Sequence, residues 1–164
     1  MGDRTSKGRT EVERRSDLEF VVTRMFDAPA RLVFEAWSKP ELFGLWWPPK
    51  SNPMPLLSCE MDVRTGGGYR LVFGRDPDHA MAFFGRYVEV VPGSRMVWTN
   101  DEAGEGAVTR VTFEEEEDGR TKVVLHELYP SKAALDESFV GMEDALPAQF
   151  EQLDELLTTL GARV

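Results

Sequence analysis

The sequence predicts an α+β fold in which a curved antiparallel β-sheet wraps around one long C-terminal helix. Three observations lead there. Strand-like alternation recurs between residues 56 and 128 with tight turns and no helix between the strands, as in an antiparallel meander. After it, Leu135, Phe139, Met142, Leu146, Phe150, Leu153, Leu157 and Leu160 recur at three- and four-residue steps, the stripe of an amphipathic helix. One such helix cannot cover a flat sheet of six or seven strands. The sheet must therefore curl around it, with further helical cover at one end.

Composition bounds the rest. A length of 164 residues fits one domain, and 41% hydrophobic residues with four Trp and ten Phe can bury a core without disulfides. Cys59 is the only cysteine, which excludes an intrachain disulfide and suits a reducing compartment. Met1 to Asp17 is polar and mixed in charge, without the apolar core of a secretory signal. No apolar run approaches the roughly 18 residues of a membrane span, so the expected location is the cytoplasm. With 19 Lys and Arg against 29 Asp and Glu, the formal net charge is −10. That balance argues against nucleic acid and anionic membranes as partners. The acidic stretch from Asp101 to Asp118 reads as a solvated hairpin edge that protects the sheet and aids solubility.

Residues 1–16, rich in Arg, Lys, Ser, Thr and Gly, read as a disordered leader, and residues 17–164 as a single domain. Leu18 to Phe26 is the first strand. Asp27-Ala28-Pro29 predicts a helix start with Asp27 as cap, followed by the apolar stripe Leu32, Val33, Ala36 and Trp37. Ser38-Lys39-Pro40-Glu41 has the pattern of a capping box and opens a second short helix carrying Leu42, Leu45 and Trp46, which Pro48-Pro49 stops. Strands then follow over 56–63, 69–73, 80–91, 95–99, 108–116 and 121–128. Gly66-Gly67-Gly68, Asp76-Pro77-Asp78, Pro92-Gly93 and Asp118-Gly119 mark the turns. The final helix is expected from about Ser138 to Leu160, about 34 Å long at 1.5 Å per residue. Pro147 lies inside it, where a kink is expected, and Gly161 sits at its end.

Several segments resemble a known family. They are Phe26-Asp27-Ala28-Pro29, Val33-Phe34-Glu35-Ala36-Trp37 and Trp46-Trp47-Pro48, then Asp62 through Gly67, Gly85 through Pro92, Arg95 through Thr99, and Gly141-Met142. In this order and spacing they are similar to the homologues of the activator of the heat-shock-protein-90 ATPase, within the START-like, Bet v 1-like (SRPBCC) superfamily. The resemblance runs from about Leu18 to Leu160 and implies the helix-grip fold. It does not carry the chaperone role, which in the eukaryotic activator rests mainly on a separate N-terminal domain.

The resemblance also implies a space between sheet and long helix that takes a small apolar or aromatic-containing ligand. Its candidate lining is Trp37 and Trp46 on the short helices and Phe73, Phe84, Arg86, Trp98, Val111, Leu125 and Glu127 on strands. Met142, Leu146 and Phe150 complete it on the long helix. Set against this is a core that these side chains fill completely. In 121–128, strand parity lets either His126 or Glu127 point inward but not both. A buried Glu127 needs a partner, for which Arg86 and Arg110 are the candidates.

No cofactor is implied, and His79, His126 and Cys59 have no metal-site spacing. Arg64 and the glycines after it lack the helix and the cation of a phosphate loop, so a bulge or turn is expected. Two alternatives stay open. One is a cyclase- or hydratase-like enzyme in the same pocket, with Glu127 as base and Arg86 as oxyanion partner. The other is a stress- or chaperone-linked interaction protein, with a protein partner or a homodimer, using an exposed patch around Trp47 and Pro48-Pro49.

Overall fold

The computed structural model describes residues 4–7, 10–47, 56–101 and 106–161; for 4–7, 77, 140–144 and 161 only the backbone is described. Among the described residues nine antiparallel strands form one sheet: β1 (Arg4–Lys7), β2 (Thr10–Arg14), β3 (Glu19–Phe26), β4 (Leu56–Met61), β5 (Gly68–Phe73), β6 (Met81–Val91), β7 (Arg95–Thr99), β8 (Val108–Glu115) and β9 (Thr121–Leu128). Their spatial order is β1-β2-β3-β9-β8-β7-β6-β5-β4, so all but the β3–β9 pair are neighbours in sequence. Two short helices, α1 (Ala30–Ser38) and α2 (Pro40–Trp46), follow β3, and α3 (Lys132–Gly161) closes the chain. No helix among the described residues is long and apolar enough to cross a membrane.

The meander and its turns match the sequence reading. Asp118-Gly119 forms the β8–β9 hairpin, with Gly119 at φ +86, a left-handed conformation that favours glycine. The glycines after Arg64 form a turn whose backbone pairs with Tyr87, as expected of a sheet irregularity.

Four local expectations are corrected. Residues 4–7 and 10–14, expected to be disordered, add two strands beyond the six or seven. The cause is inward alternation: Thr10 and Val12 are buried beside β3, and Arg14 pairs with Asp136 on α3. Asp27 does not cap α1. Pro29 occupies the cap without a side-chain bond, and Glu115 accepts from the Ala30 N–H at 2.9 Å instead. Ser38 does not form a capping box, because Lys39 is the cap and Pro40 begins the helix. Finally, α3 starts six residues before Ser138, where the Ser131 hydroxyl accepts from the Ala134 N–H at 3.1 Å.

The core lies between the sheet and the three helices. α3 packs on β2 and β3 and against α1 and α2, while α1 meets β8 and α2 meets β4. Trp37 is its centre: its ring lies within 6.3 Å of the rings of Phe43, Trp46, Trp47, Trp98, Phe113 and Phe150. The end of α2 is tied to α3 by Gln149 and Gln152, which donate to the Trp47 and Trp46 carbonyls at 2.6 and 2.7 Å. These bonds satisfy carbonyls that a helix end leaves open. On the far side of α3, the buried Arg24 reaches Glu151 at 2.9 Å and Asp154 at 3.4 Å.

Candidate functional site

The inner face of the sheet alternates with the pleat. Leu71 on β5, Tyr87 on β6, Met96 and Trp98 on β7, Val111 and Phe113 on β8, and Val123 and Leu125 on β9 are all buried there. Beside this apolar surface runs a string of polar groups. The Tyr69 hydroxyl donates to the Thr99 carbonyl at 2.8 Å and lies 3.2 Å from Asn100 Oδ1. The Asn100 amide donates to the Ala107 carbonyl at 2.8 Å and to Thr109 Oγ1 at 3.0 Å. Thr109 in turn donates to Glu127 Oε2 at 3.0 Å. The string thus crosses from β5 to β9 and includes a carboxylate only 5% exposed.

Two backbone features make this possible. A Cβ on Gly85 would lie 1.9 Å from the Thr99 carbonyl oxygen, so only glycine lets β6 approach the end of β7 where Tyr69 is received. Strand parity does the rest, since Thr109 shares its face with Val111 and Phe113, and Glu127 with Leu125 and Val123. Tyr129, just beyond Glu127, is also buried, and burial pushes its phenol well above its usual pKa, with the nearby Glu127 charge adding to the rise. Tyr87 is raised in the same direction, again chiefly by burial.

Of the predicted lining, Trp37, Trp46, Trp98, Val111, Leu125, Glu127, Leu146 and Phe150 are brought to the inner side and buried. Phe73 is half-buried there, edge-on to Phe83 at 5.7 Å. Met142 lies on α3, with its side chain outside the described residues. Phe84 and Arg86 are corrections: both face outward and are exposed, Phe84 by 41%. The inward residues of β6 are Phe83, Gly85 and Tyr87. Two adjacent phenylalanines in one apolar run left the parity ambiguous, and a register shift between Tyr87 and Glu89 hides it from the far end of the strand.

The open choice on β9 resolves with Glu127 inward and His126 outward, Nε2 of the latter 2.7 Å from Glu19 Oε2. Glu127 accepts from Thr109, while Arg86 and Arg110, the expected partners, are both exposed. Glu127 and Arg86 lie on opposite faces, so the base and oxyanion partner of the enzyme alternative are not assembled. Trp47 is half-buried and stacked on Phe43 at 5.0 Å rather than exposed, while Pro48-Pro49 lies outside the described residues.

Sequence reasoning missed Tyr69, Asn100 and Thr109. Thr109 was within reach, two residues before Val111 on the same face. Asn100 was not, because it sits past the end of β7 and acts through its side chain. One further polar atom stands out: Trp37 Nε1, in a side chain 1% exposed, has no acceptor among the described residues.

A nine-stranded antiparallel sheet gripping one long C-terminal helix, with two short helices after the third strand, defines a helix-grip protein of the SRPBCC kind. The family described as activator of Hsp90 ATPase homolog 1-like protein matches residues 27–158, and the chain belongs to that family. Solved structures are similar over most of the chain. A crystal structure from Rhodobacter sphaeroides has a TM-score of 0.81 at 20% identity, covering 92% of this chain and 99% of that one. One from Mycobacterium smegmatis has 0.76 at 24%, covering 96% and 99%. A protein from Chromobacterium violaceum has 0.67 at 26%, covering 85% and 96%. The first two likenesses, under 25% identity, show the shared fold alone. The search of curated proteins found no match.

Proposed function

We propose that the domain binds one small, largely apolar molecule between the inner sheet face and α3, oriented by the polar string that includes Glu127. The observation that carries this reading is the string itself: hydrogen-bonded polar groups, a buried carboxylate among them, beside an otherwise apolar wall. Buried polar groups of this kind add little net stability over well-packed apolar residues, so stability alone does not account for them. Glu127, which accepts from Thr109, sets a buried carboxylate beside the apolar wall, a feature that favours a ligand with a hydroxyl or amide group. Trp37 Nε1, which has no acceptor among the described residues, offers a donor to an acceptor on the same molecule. Trp98, Val111, Leu125 and Leu146 supply apolar contact for the remainder, the usual make-up of a small-molecule site. The single half-buried thiol, Cys59, fits a reducing compartment, and we place the protein in the cytoplasm on that basis.

The neutral dye N-phenyl-1-naphthylamine tests the reading. Saturable one-to-one binding with energy transfer from tryptophan is the expected result, with altered affinity in Trp98→Ala. Linear, unsaturated uptake, or an affinity that Trp98→Ala leaves unchanged, overturns it.

A further inference from the structure

The opposite face of the same strands carries a feature that the inner site does not use. Val97, Arg110 and His126 are successive cross-strand neighbours on β7, β8 and β9, all pointing outward. They sit in a groove of about 440 Å³, with Val108 and Leu128, themselves cross-strand partners, along one side. Val108 and Leu128 are 37% and 43% exposed, so the groove has an apolar wall open to solvent.

The charges around it are mostly spent. Arg95 donates to Glu89 at 2.6 Å on one flank, and His126 lies 2.7 Å from Glu19 on the other. Arg110, between them, makes no hydrogen bond or ion pair with any described residue. In a chain of net charge −10, this leaves a guanidinium whose donors meet no acceptor among the described residues, beside an apolar wall.

We infer that this groove is a second binding site, for a monocarboxylate with a short apolar body. The carboxylate meets Arg110 in the paired geometry that guanidinium favours, and the body lies over Val97, Val108 and Leu128. The charge of the flanks selects the class. Glu89 engages Arg95 on one flank and Glu19 lies against His126 on the other, so among the described lining residues Arg110 alone is left to meet an anion, which suits a single delocalised negative charge better than a dianion such as phosphate. An uncharged alcohol of the same shape leaves Arg110 unpaired.

A methyl-detected NMR titration at constant ionic strength tests the inference, with hexanoate and benzoate as probes and hexanol, benzyl alcohol and inorganic phosphate as comparisons. The carboxylates are expected to shift the Val97, Val108 and Leu128 methyls saturably. Arg110→Gln, an exposed change, is expected to weaken them about tenfold or more, with Arg110→Lys between. Equal response to the alcohols or to phosphate overturns the inference. So does an unchanged affinity in Arg110→Gln, or a response confined to the inward Val111, Leu125 and Leu146 methyls. That last pattern would support the inner pocket while removing the outer one, so the two readings stand or fall separately.

Discussion

Thr109 and Glu127 are direct cross-strand partners on β8 and β9, and the threonine hydroxyl donates to the carboxylate at 3.0 Å where both side chains are buried. A buried carboxylate that loses a donor carries a desolvation cost that water no longer offsets. Thr109→Val is therefore expected to destabilise the fold by about 1–3 kcal/mol in urea unfolding. Adding Glu127→Leu should recover part of that loss, because the carboxylate is then gone. Additive costs in the double variant would show that the two groups are not coupled.

The aromatic cluster around Trp37 should be the least tolerant part of the fold. Trp37→Ala is expected to cost about 3–5 kcal/mol, because six ring contacts are lost and the space cannot fully collapse. Trp37→Phe should cost clearly less, since it also removes an indole N–H that has no acceptor among the described residues. Denaturant midpoints and near-ultraviolet circular dichroism check both.

Arg24 is a buried cation held by two acidic residues of α3 and by Thr10, whose hydroxyl lies 3.3 Å from its guanidinium. Either acid alone is dispensable, because the other remains. Removing both in Glu151→Gln with Asp154→Asn leaves the charge uncompensated, at about 3–5 kcal/mol by urea unfolding. A loss no greater than the sum of two small single effects would contradict this reading.

Several half-buried carboxylates sit below their ordinary range. Glu19 is lowered chiefly by the hydrogen bond to His126, Asp136 by those from Arg14 and Lys132, and Glu89 by that from Arg95. A carboxylate whose folded pKa is depressed contributes stability that is present above its unfolded pKa and lost as pH falls through the folded one. Thermal midpoints should therefore hold level down to about pH 5 and decline below the ordinary values of 4.5 for Glu and 3.8 for Asp. Glu19→Gln should make the decline shallower.

Cys59 is half-buried, and burial, with a smaller effect from Glu41, pushes its thiol pKa upward. Since the thiolate is the reactive form, iodoacetamide should label native Cys59 more slowly than free cysteine at the same mildly alkaline pH. Unfolding in urea should abolish the difference.

Much of this architecture was legible in the sequence because it rests on local rules. The turn at Asp118-Gly119 and the stripe from Leu135 to Leu160 each follow from spacing alone. What stayed hidden depended on tertiary partners. Thr10 and Val12 form a strand because β3 is there to receive them. Asp27 loses the cap of α1 because Glu115, far along the chain, supplies the acceptor. Most of the inner wall could be chosen from parity. Phe84 and Arg86 failed because Phe83 and Phe84 are adjacent in one apolar run, and the irregularity between Tyr87 and Glu89 breaks the parity that could be carried back from the far end of the strand. Asn100 could not be found, since only the folded sheet brings its amide to Thr109.

A small molecule held between sheet and α3 at the Glu127 end should travel with the purified protein. Native mass spectrometry of freshly purified protein, gently ionised and then denatured, tests it most directly. The expected result is a discrete extra mass on the wild type that disappears on denaturation and is diminished in the folded Thr109→Val, Glu127→Leu variant. A wild type that carries only the mass of the bare chain, indistinguishable from that variant, would contradict it.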